Sequence, residues 1–144
     1  MPGQFSPQRA QYEADRFYIY TKSLIPENLI QCAIKGMDAV RAGGYDTGVP
    51  LQPSFWKPGD EPQKLCKIEM PQIANRVIME LVRRPAIGEL AGTLTGAKMV
   101  QVWWVQLLYK PSADPNGWGQ TNIGWHQDRQ YWKPWEEGSE FFTA

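Results

Sequence analysis

The sequence is poor in the residues that usually anchor metal sites and disulfide frameworks. It has one histidine, His126, and two cysteines, Cys32 and Cys66, in 144 residues. The cysteines stand far apart, with no Cys-x-x-Cys spacing and no histidine near either, which argues against a zinc site. Two unpaired thiols fit a reducing compartment better than a disulfide scaffold. An excess of either charge is missing too: 15 Lys and Arg face 15 Asp and Glu, for a formal net charge of zero. Neither nucleic acid nor an anionic membrane is therefore expected as a partner. No apolar run approaches the roughly eighteen residues of a membrane span. Residues 1–10 are polar and contain Pro2 and Pro7, so they lack the apolar stretch of a signal peptide. The default expectation is a cytoplasmic protein.

What the chain does have is apolar and aromatic mass. Hydrophobic residues make up 42%, enough for the core of one domain. Six of the seven tryptophans lie between Trp103 and Trp135. Residues 1–11 read as a flexible tail, with a short helix over 11–16 and a β-rich run over 17–24. Pro26 suits a first helical position, and Leu29, Ile30, Ala33, Ile34, Met37 and Val40 recur at helical spacing until Gly43 and Gly44 end the pattern. Residues 45–61, with Pro50, Pro53 and Pro58, read as a long loop that folds over something or is mobile. A second helix is expected over 71–84, and a third from Pro85 to about Gly96.

The period then changes. "KMVQVWWVQLLYK", residues 98–110, is rich in Val, Trp and Leu and reads as a strand covered on both faces, with Gln106 a polar interruption beside Val102, Trp104 and Leu108. Residues 111–122 form a turn-rich loop, a second strand spans 124–128, and residues 139–144 begin a third. Helices first and strands second predict an α+β fold with the helices packed on one side of a sheet.

His126 and Asp128 are two residues apart, so on a strand they project from one face with Cα atoms about 6–7 Å apart. An imidazole and a carboxylate at that spacing can converge on one ion, and they match two members of the 2-His-1-carboxylate triad of non-haem iron oxygenases. The bland reading is a histidine bonded to a nearby carboxylate. Trp125, Tyr131, Trp132 and Trp135 surround the pair and would wall a dry pocket.

"WVQLLYKPS", followed after a short loop by "GWHQDRQYWKPW", resembles the phytanoyl-CoA dioxygenase family of Fe(II)/2-oxoglutarate oxygenases. The upstream segments "ADRFYIYTKSLIPENLIQCAIKGMDAV" and "MELVRRPAIGELAGTLTGAKMVQVWWVQLLYKP" are similar to the family's opening helix and to its approach to the core, so the resemblance covers residues 12–144. It implies the N-terminal part of a double-stranded β-helix (jelly-roll, cupin-like) core, with Fe(II) held by His126 and Asp128. It also implies that Gln106, Gln127 and Lys67 lie near 2-oxoglutarate, and that Trp104, Trp125, Tyr131 and Trp132 line a pocket for a small organic substrate. The implied reaction couples oxidative decarboxylation of 2-oxoglutarate by O2 to hydroxylation of a C–H bond, and an aspartate at position 128 favours hydroxylation over halogenation.

The family's second iron histidine and its 2-oxoglutarate-binding arginine come further downstream. With no second histidine, and with "SEFFTA" reading as the start of a strand, the sequence is expected to be the N-terminal portion of a longer protein. Each cosubstrate residue also has an ordinary reading: Lys67 a solvated surface lysine, Gln127 facing away, Gln106 bonded to a neighbouring backbone group. Two rival functions remain. One is a non-catalytic interaction domain with a structural His–Asp pair, and the other a cupin-like small-molecule binder that uses its tryptophans as a stacking platform.

Overall fold

The computed structural model describes residues 6–111 together with residues 126, 143 and 144. In chain order these form α1 (Pro7–Asp15), α2 (Glu27–Arg41), β1 (Cys66–Glu69), α3 (Pro71–Ala74), α4 (Arg76–Val82), α5 (Pro85–Thr95) and β2 (Gln106–Tyr109). The architecture is a mixture of helices and a small antiparallel sheet. Among the described residues no helix is long and apolar enough to cross a membrane.

The short helix expected over 11–16 starts earlier, at Pro7 within the expected tail, and ends at Asp15. Ser6 caps α1 by accepting a hydrogen bond from the Arg9 N–H at 3.2 Å, Pro7 sits in the first turn, and Arg16 closes the helix in a left-handed conformation. A Ser-Pro pair is a strong start signal, and polar composition masked it. None of the residues of α1 is buried, yet the helix packs beside α5, where the Arg9 guanidinium fills the space that a Cβ at Gly96 would need. Residues 17–24 form neither strand nor helix, and Phe17 and Ile19 are exposed. A β-prone run becomes a strand only with a partner, and none pairs with it among the described residues.

α2 matches its reading closely, with Pro26 as the cap rather than the first helical residue. Its buried seam is Leu29, Ala33, Gly36 and Val40, spaced by four, three and four, while Ile34 is exposed. The single helix expected over 71–84 is broken. Asn75 is extended (φ −140°, ψ 126°), and its side-chain Oδ1 accepts from the N–H groups of Val77 and Ile78, both at 3.1 Å. Asparagine competes with helical bonding by this local capping, so one element becomes α3 and α4. α5 runs as expected and stops at Gly96, whose φ of 76° favours glycine.

The strand expected over 98–110 is realised only at Gln106–Tyr109, with Val105 accepting one further bond from the Met70 N–H at 2.8 Å. Its partner is β1, in antiparallel register Cys66↔Tyr109, Lys67↔Leu108, Ile68↔Leu107 and Glu69↔Gln106. Among the described residues only one face of the sheet is covered. Cys66, Ile68 and Leu107 are buried against Val40, Ala74 and Ile78, whereas Leu108 is 49% exposed.

The loop over residues 45–61 completes the core. Trp56 is 5% exposed, its indole Nε1 donates to the Arg41 carbonyl at 3.0 Å, and its backbone N–H donates to the Lys67 carbonyl at 3.3 Å. Ser54 Oγ donates to that same carbonyl at 3.1 Å. The proline-rich loop thus folds over the end of α2 and along the edge of β1.

Candidate functional site

Strand geometry sorts the sheet residues. Lys67 and Glu69 are two apart on β1 and share the open face, with Leu108 and Gln106 opposite them in register. Trp104 reaches the same group from just before β2. At the centre is the Glu69 carboxylate. Its Oε1 accepts from Gln106 Nε2 at 3.0 Å and pairs with Lys67 Nζ at 3.3 Å, and its Oε2 accepts from the Trp104 indole at 2.6 Å. The Glu69 side chain is 22% exposed and that of Lys67 44%, so the cluster is solvent-facing but ordered by three convergent donors.

Lys67, Gln106 and Trp104, singled out in sequence as cosubstrate and substrate residues, therefore meet on one surface. Glu69, which joins them, was missed. The signal that finds it is the pairing of residues 66–69 with 106–109, which sets Glu69 across from Gln106. Gln106 does bond a neighbouring group, a side-chain carboxylate rather than a backbone atom. By residue type Lys67 and Gln106 suit the carboxylate of a keto acid. Glu69 holds both already, so an incoming carboxylate would have to exchange with Glu69.

His126 is exposed and lies outside any helix or strand. Asp128, Gln127, Trp125, Tyr131 and Trp132, with the strand expected over 124–128, lie outside the described residues. Imidazole nitrogen and carboxylate oxygen at positions 126 and 128 match the donor chemistry of iron. Among the described residues no cluster of three or more His, Cys, Asp or Glu side chains forms a metal site.

The opposite face of the sheet carries a second charged centre. The Arg41 guanidinium lies 3.8 Å from the Tyr109 ring centroid and 5.3 Å from that of Trp56, and it bonds Asp38 at 3.3 Å. Cys66 is buried beside it; burial pushes its thiol up from the ordinary value, against the opposing pull of Arg41. Cys32 is exposed, and both cysteines are free.

No family profile, curated protein or solved structure matches the chain.

Proposed function

We propose that the chain carries part of an Fe(II)/2-oxoglutarate-dependent dioxygenase that hydroxylates a small organic substrate. In this reading the β1–β2 pair belongs to a double-stranded β-helix core of the phytanoyl-CoA dioxygenase type. The observation that supports it most is the meeting of Lys67, Trp104 and Gln106 around Glu69 on one open sheet face. His126 and Asp128 are the first two iron ligands, and Gln106, Lys67 and Gln127 face the keto acid. Bound iron and 2-oxoglutarate would supply the oxidising power. The residues of this chain supply ligation, orientation and exclusion of water. Glu69 keeps Lys67 and Gln106 extended along the face until a ligand carboxylate takes its place, and Trp104, Trp125, Tyr131 and Trp132 wall the substrate pocket. Free thiols suit a reducing, cytoplasmic setting.

The test uses Mn(II), a redox-inert stand-in, followed by its paramagnetic effect on water relaxation. His126→Ala and Asp128→Ala should each weaken Mn(II) binding by at least about tenfold, since even an outer-shell change costs ten- to a hundredfold. Gln106→Leu should leave Mn(II) binding intact and weaken 2-oxoglutarate binding by about ten- to a hundredfold, the worth of one hydrogen bond to a charged group. Equal Mn(II) affinity in the parent chain and both ligand variants would end the proposal. One observation favours a second reading, a non-catalytic small-molecule binding or interaction domain: Glu69 already occupies Gln106 and Lys67. Under it Gln106→Leu lowers the melting temperature without touching 2-oxoglutarate.

A further inference from the structure

A separate feature lies where α4 meets α5, on elements that take no part in the sheet. Arg76, Met79, Glu80 and Arg83 are spaced by three, one and three, which places all four on one side of α4. Arg84 and Pro85 continue from that side into α5. Together these six residues line a groove of about 330 Å³. Three arginines against one glutamate leave it with a net charge of +2.

Among the described residues none of the three side chains forms an ion pair or a hydrogen bond, and Glu80 bonds none of them. Asp46 accepts from the Arg76 backbone N–H at 2.9 Å and makes no ion pair with its side chain. Among the described residues Arg84 Nε is buried with no hydrogen-bond partner. A buried guanidinium N–H left unsatisfied is costly, and a ligand that draws the Arg84 guanidinium outward into the groove would relieve it. Three arginines lining one groove offer planar guanidinium donors suited to the several oxygens of a phosphate, which a guanidinium can grip in a bidentate manner. Met79 and Pro85 give the groove an apolar wall, which inorganic phosphate would leave uncovered and an organic ester would cover.

We propose that the α4–α5 groove binds the phosphate group of a small phosphomonoester through Arg76, Arg83 and Arg84, with the organic part against Met79 and Pro85. This proposal does not depend on the iron reading. The probes are phenyl phosphate and inorganic phosphate, titrated into the full chain while the arginine Nε–H resonances are followed by NMR. Sodium chloride at matched ionic strength controls for screening. The expected result is a saturable shift of the Arg84 Nε–H, no shift of the Arg41 Nε–H, and tighter binding of phenyl phosphate than of inorganic phosphate. Arg83→Gln, at an exposed position that leaves packing alone, should weaken phenyl phosphate by roughly tenfold or more, the loss expected for one charge-assisted contact. A shift reproduced by sodium chloride, or unchanged affinity in both Arg83→Gln and Arg76→Gln, would overturn the site. Equal binding of the two phosphates would overturn the ester assignment.

Discussion

Replacing Gly36 with alanine tests the contact on which the helical half of the core turns. Gly36 lies in the buried seam of α2, and an ideal Cβ there would sit 2.6 Å from Asn75 Oδ1 and 3.2 Å from Asn75 Cγ. That oxygen is the one that caps α4. The methyl group would thus press on a side chain held by two backbone N–H groups. Overpacking of this kind costs about 1–3 kcal/mol, and disturbing the cap adds roughly 1 kcal/mol. Alanine returns about 1 kcal/mol through its better helix propensity. The net expectation is a destabilisation of about 1–3 kcal/mol. Asn75→Ala alone should cost about 1 kcal/mol, the worth of a cap.

The informative measurement is the double mutant. With Asn75 already shortened, the colliding atoms are gone, and Gly36→Ala should now stabilise by roughly 1 kcal/mol, its propensity gain alone. The sign of the substitution reverses with its neighbour, a coupling that a double-mutant cycle reads directly. Urea unfolding of the four proteins, followed by tryptophan fluorescence, supplies the numbers, and equal m-values are required for the comparison. If Gly36→Ala has the same sign and size in both backgrounds, the contact does not govern how α2 packs on α4.

The thiols should separate in a labelling experiment with an aromatic disulfide reagent. One fast phase belongs to exposed Cys32 and vanishes in Cys32→Ser, while Cys66 reacts only as the core opens. Fast reaction of both would refute the burial of Cys66. The raised Cys66 value also sets a pH dependence. Its contribution to stability is present below the ordinary thiol value of 9.0 and is lost as pH rises through the higher folded value, so the melting temperature should fall above about pH 9. In Cys66→Ala that part of the fall should disappear. Arg41→Met keeps the aliphatic bulk but removes the cation between Trp56 and Tyr109, and should cost about 1–2 kcal/mol. Arg41→Lys should restore only part of that, because an ammonium cannot lie flat on a ring as a guanidinium does; an Arg41→Met protein as stable as the parent would contradict this.

What the sequence revealed follows the range of each cause. α2 and α5 were legible because their ends are written locally, by Pro26 and Gly43 in one and by Pro85 and Gly96 in the other. The second half of α1 was legible as a short helix over 11–16, and its polar first turn was not, since only Ser6 and Pro7 announce it. The break at Asn75 was not legible: the buried asparagine is fixed by the bare backbone of Gly36, far back in the chain. β1 is four residues long, too short to stand out without its partner. In the candidate site, the family resemblance drew attention to Lys67, Trp104 and Gln106, and only Gln106 also stood out by itself, as a polar interruption of an apolar run. Glu69 needed the register, because nothing nearby in sequence distinguishes its carboxylate from the other acidic groups. His126 and Asp128 drew attention by their spacing together with the aromatic residues around them, and Asp128 lies outside the described residues.

The anchoring of Trp56 bears on the order in which the chain can assemble. Its indole reaches a carbonyl fifteen positions back, and its own N–H reaches Lys67 a shorter distance ahead. The sheet, by contrast, must join Glu69 to a residue thirty-seven positions away. Closing a loop costs more entropy as it lengthens, and distant pairings come late unless something shortens the search. A tryptophan fastened on both sides is such a device. Formed early, it would fix β1 against the end of α2, so that β2 would meet a strand already in place, with one edge sealed by Ser54 and Trp56 and the other left as its template.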